Sequence, residues 1–178
     1  MPMQLPLTVL FFPGVVLHEV SHVIACAVTG VKVHKVKWFG VTEAFVQHDK
    51  PRALSGLVIS LAPLIINNVL GFFLLRHANE SVSADPFAAI LFAWAGVSLV
   101  IFSFPSKPDA ENTFNAFVES FGKKLSGQTP LLVRLVWLVL TPFVFIPLIL
   151  LLGIVLVFDY VFVFRVAWLL AVLAAVVA

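Results

Sequence analysis

From residue 131 to residue 178 the chain runs 48 residues with only Arg134, Asp159 and Arg165 charged. That is room for two helices crossing a bilayer at about 20 residues each, not for a soluble core. Three further apolar runs precede it, at residues 5–29, 53–75 and 86–104. Only 11% of the residues are charged and 61% are hydrophobic, whereas a soluble domain carries about 25% charged residues. The expected architecture is all-α membrane: a polytopic bundle of about five transmembrane helices with a short β-hairpin after the first. It forms one integral membrane domain over residues 1–178. The last two spans join near Phe158-Asp159-Tyr160, or are broken instead at Pro142 and Pro147. The first run has no basic leader segment and reads as retained rather than as a cleaved signal.

Within the first run, Pro13-Gly14 predicts a kink one turn before His18-Glu19-Val20-Ser21-His22. On a helix, residues four apart share a face, so both imidazoles can meet one ion with Glu19 beside them. Ionisable groups at membrane depth are costly, and three within five residues point to function. A catalytic zinc takes three protein ligands and keeps a fourth position for water. The glutamate of this motif polarises that water and passes its proton to the leaving amine. His22 lies seven residues before Thr29, so about 10 Å below the end of the first span. The third span ends on the same side, and Phe104-Pro105-Ser106-Lys107-Pro108-Asp109 follows it. Asp109 is the expected third ligand, with Glu111 as the alternative two residues on.

Three connections are polar. The first, 31–52, alternates apolar and polar residues and predicts a β-hairpin turning near Gly40. The second, 76–85, is short and contains the glycosylation-type triplet Asn79-Glu80-Ser81. The third, 106–130, carries Phe114, Phe117, Val118 and Phe121 at helical spacing, which predicts a helix lying in the membrane interface. Lys32, Lys35, Lys37, Lys50 and Arg52 in the first connection, and Lys107, Lys123 and Lys124 in the third, place both on the cytoplasmic side. The N-terminus then lies outside and, with five spans, the C-terminus inside.

Other polar residues have plainer roles. Asn67 and Asn68 sit mid-span, for hydrogen bonds between helices or for contact with a substrate backbone. Cys26, the single cysteine, excludes an internal disulfide and suits a packing position. His34, His48 and His77 fall in connections and face solvent. Arg165 pairs with Asp159 or extends to an interface. A net charge of +2 gives no argument for nucleic acid as a partner.

On these residues the chain resembles the site-2 protease family of intramembrane zinc metalloproteases. The likeness runs from Pro13 to Asp109. It takes in the His18–His22 motif, the exit Gly30-Val31-Lys32-Val33, the segment Ser60-Leu61-Ala62-Pro63-Leu64-Ile65-Ile66-Asn67, and Asp109. Ala62 stands where the family has glycine, and Pro-Asp-Ala replaces its Leu-Asp-Gly. The resemblance implies a metalloprotease-like core over about residues 5–112, with Zn2+ on His18, His22 and Asp109 and Glu19 as general base. It also implies that a transmembrane protein is cut in or near the lipid bilayer. The C-terminal helical pair, about 131–178, carries no motif of this kind. Two other functions fit the residues: a metal-binding membrane scaffold without catalysis, and a metal transporter.

Overall fold

A computed structural model describes residues 4–39, 44–127 and 129–178. Among the described residues the order is α1 (Gln4–Leu10), α2 (Phe12–Thr29), β1 (Val33–Lys37), β2 (Phe45–His48), α3 (Ala53–Ser81), α4 (Pro86–Ile101), α5 (Lys107–Leu125), α6 (Leu131–Tyr160) and α7 (Phe162–Val177). Three helical stretches, Phe12–Thr29, Ala53–Ser81 and Leu131–Phe158, are long and apolar enough to cross a membrane. Helices α4 and α7 are apolar but have 16 residues each. Leu132, Val139, Phe143 and Leu150 project from α6 largely exposed. So large an apolar surface suits lipid rather than water.

The first span differs from expectation at its start. No single kinked helix runs over 5–29; instead the chain breaks at Phe11 and restarts as α2. Proline lacks the N–H for a bond to the fourth preceding carbonyl and clashes with it, but is tolerated in a first turn. Breaking at Phe11 puts Pro13 in that turn. A Cβ on Gly14 would fall 2.1 Å from the Ser98 carbonyl oxygen, so only glycine lets α2 lie this close to α4. Its N–H donates to Ser98 Oγ at 2.7 Å.

Gly30 ends α2 with φ +69°, a left-handed conformation that glycine adopts without strain. The chain then reverses into β1, which pairs antiparallel with β2 in the register Val36 to Val46 and Lys37 to Phe45. The turn expected near Gly40 lies outside the described residues. The hairpin runs back alongside α2: the Phe39 ring meets that of Phe12, at the far end of α2, edge to face at 6.5 Å.

The second span is longer than expected. Helix α3 continues through Arg76, which pairs with Glu80 one turn on, and ends at Ser81. The third is shorter. Asp85 caps α4 by accepting from the Ala88 N–H, and the helix stops at Ile101, three residues early. Pro105 disfavours helical geometry at Phe104 and ends the helix ahead of it. The two C-terminal helices join at Val161, within a residue of the predicted junction, and α6 runs unbroken over Pro142 and Pro147.

Helix α5 does form over the third connection, but its apolar face is not left to lipid. Phe117 and Phe121 are buried with Leu148 and Leu152 of α6, and Phe114 packs on the same cluster. Helix α6 covers the Phe114, Phe117 and Phe121 part of that face, while Val118 stays exposed. A second cluster, Ala25, Cys26, Ile59 and Ala62, joins α2 to α3, and its fully buried Cys26 is the packing residue expected.

Candidate metal centre

Two carbonyls released by prolines orient the histidines of α2. In an α-helix the N–H of residue 63 would bond the carbonyl of Ile59, but Pro63 has no N–H. The Ile59 oxygen is therefore available, and His22 Nδ1 lies 2.8 Å from it. His18 Nδ1 lies 2.8 Å from the Phe102 oxygen, just past the end of α4 that Pro105 enforces. A carbonyl only accepts, so each Nδ1 carries the proton and each Nε2 presents a lone pair. The two Nε2 atoms stand 3.1 Å apart.

The third group arrives from α5. Ser106 and Asp109 form a capping box there: Asp109 Oδ2 accepts the Ser106 N–H at 2.8 Å and its hydroxyl at 2.6 Å. The cap aims the carboxylate at the histidines, with Oδ1 3.4 Å from His22 Nε2 and Oδ2 3.7 Å from His18 Nε2. Glu111 is absent from this centre and pairs with Lys107 at the surface.

Donor atoms of His18, His22 and Asp109 all lie within 4.8 Å of one another. A tetrahedral zinc with bonds of about 2.0–2.1 Å separates its ligand atoms by roughly 3.3 Å. The two Nε2 atoms, 3.1 Å apart, are near that value, and the carboxylate approaches each of them through a different oxygen, at 3.4 and 3.7 Å. Two lone pairs and a carboxylate facing one another in a mostly buried site repel unless a cation lies among them. The three side chains could hold a metal ion.

Glu19 is buried and, with the three candidate ligands, lines the floor of a cleft of about 1220 Å³. One wall is residues 44–51, including all of β2; the other is the face of α5 bearing Asn112, Asn115 and Glu119. Among the described residues β2 pairs with β1 alone, and the residues of β2 line the cleft whereas those of β1 do not. At the rim Lys50 and Glu119 form an ion pair from wall to wall, and Lys123 joins them. Lys50 and Lys123 hold the Glu119 carboxyl below its usual range.

Neither asparagine lines the cleft. Asn67 is fully buried behind the site: its Oδ1 accepts from the Ser21 hydroxyl at 3.1 Å. Its Nδ2 lies 3.4 Å from the carbonyls of Gly14 and Phe102. It fastens α2, α3 and the end of α4 around the His18 acceptor. Asn68 faces the other way, accepting from Trp168 Nε1 of α7 at 2.8 Å and donating to the Leu64 carbonyl. Both do the interhelical work that was the simpler expectation. His34 pairs with Asp49 at the surface and His77 packs on Phe92, so neither reaches the centre. Sequence reasoning missed the orienting carbonyls of Ile59 and Phe102; a proline four residues after Ile59 was the available signal for the first.

No protein-family model, curated protein or solved structure matches this chain.

Proposed function

We propose that this chain is a membrane-embedded zinc endopeptidase, of the kind the site-2 protease family represents, that cuts a membrane-anchored protein. The observation that carries the proposal is the convergence of His18, His22 and Asp109 at the floor of a cleft shared with Glu19. Helices α4 and α7 join the three longer ones as further spans, giving five. Being short, they lie where protein packing or local thinning accommodates the mismatch. The lysines of the hairpin and α5 set the cleft toward the cytoplasm of a cell-membrane protein.

Zinc, when bound, acts as a Lewis acid and lowers the pKa of water to about 7. The chain supplies the rest. Carbonyls of Phe102 and Ile59 keep each histidine in the tautomer that donates through Nε2. Glu19 accepts a proton from the attacking water and returns it to the leaving amide nitrogen. The free edge of β2 receives an unwound stretch of substrate as an added strand, which lays its amides across the floor. A scaffold or carrier of metal has no use for the non-ligating Glu19 between two ligands.

The test is cleavage of a model transmembrane substrate by reconstituted protein, wild type against Glu19→Gln. The expected result is retained zinc with cleavage reduced about 10²–10⁴-fold, the usual contribution of a general base. Equal cleavage by both would remove Glu19 from the chemistry. Metal retained by a wild type that cuts nothing would favour the scaffold.

A further inference from the structure

We propose that Arg165, in the otherwise motif-free C-terminal helix pair, is a positioning residue for the metal centre. The inference rests on the assignment of His18, His22 and Asp109 as metal ligands. An arginine among apolar helices is costly and calls for a function. Arg165 Nε donates to the Phe158 carbonyl in the last turn of α6 at 2.9 Å, and Nη1 to the Ile101 carbonyl at the end of α4 at 3.3 Å. Helix C-termini carry partial negative charge, so one guanidinium draws two of them together.

Ile101 immediately precedes Phe102, whose carbonyl orients His18 and bonds Asn67. Two residues further on, the buried Phe104 ring stacks on Phe158 at 4.5 Å and 20° and meets Trp168 edge-on at 6.2 Å. Two residues beyond that, Ser106 starts the cap that aims Asp109. The segment 101–106 thus carries the orienting group of one ligand and leads directly into another. The C-terminal helix pair grips it at Ile101 and at Phe104. A segment free to slide by an ångström would misplace both ligands together. Arg165 acts on metal affinity through this segment.

The experiment uses the full chain in detergent, with Co2+ as a spectroscopic probe and Zn2+ in competition. The variants are Arg165→Lys, whose single ammonium cannot span both carbonyls, and Phe104→Leu, which removes the stack. Helicity by circular dichroism controls for folding, and if one variant loses it the other decides. Both variants are expected to keep wild-type helicity, weaken Zn2+ about tenfold or more, as orienting-group losses do, and shift the visible Co2+ bands. Wild-type affinity and unshifted bands in a folded variant overturn the positioning role while leaving the metal centre standing. Failure of the wild type to take up either metal removes the centre itself, a different result.

Discussion

At the scale of single residues, Pro63 has a role that composition hides. It frees the Ile59 carbonyl for His22. Replacing it with alanine restores an N–H that competes for that carbonyl. Proline inside a helix costs about 3 kcal/mol, so Pro63→Ala is predicted to raise the melting temperature while weakening zinc roughly tenfold. Thermal melts and metal titration on one sample check both, and a rise in the two together would contradict this assignment. Asn67 gives a prediction of another kind. Asn67→Ala strips partners from buried Ser21 and Phe102, at a cost of about 1–3 kcal/mol. Stability and zinc affinity fall, whereas KM for substrate stays; a raised KM at unchanged stability would reinstate the substrate contact. The candidate cluster of His18, His22 and Asp109 was legible because imidazole and carboxylate groups are conspicuous in apolar sequence. Backbone carbonyls are invisible there, since every residue has one and only the fold selects which are free.

At the scale of elements, the sequence located most helices and misplaced several ends. Those ends depend on what packs nearby. The break before α2 and the early stop of α4 follow proline chemistry that the sequence contained. The burial of α5 beneath α6 does not, because periodicity shows that a helix has an apolar face but not what covers it. Helix α5 carries Asp109 and one cleft wall, so its seat matters to the site. Phe121→Ala opens a cavity between α5 and α6, and truncations of this type cost about 3–5 kcal/mol. Denaturation of the variant should show that loss with a parallel drop in zinc affinity. A change within about 0.5 kcal/mol, normal for a surface substitution, would mean that α5 does not rest on α6.

For the whole molecule, long apolar runs announced a membrane bundle, and three helices have the length and composition to cross one. The five-span arrangement is a claim about the bilayer, tested by labelling. Native Cys26 is fully buried and leaves a silent background. Cysteine placed at Lys124 is predicted to react with an impermeant maleimide only when the cytoplasmic face is opened, and cysteine placed at Val82 from intact cells. The reverse pattern would invert the topology and put the cleft outside.

The central claim is that His18, His22 and Asp109 hold one metal ion. Zinc content per chain, measured by atomic emission on purified wild type and on His18→Ala, His22→Ala and Asp109→Ala, tests it most directly. The account predicts one zinc per wild-type chain, as one catalytic site requires, and loss or steep weakening in each variant. A metal-free wild type, or zinc held as firmly without His22, would contradict it.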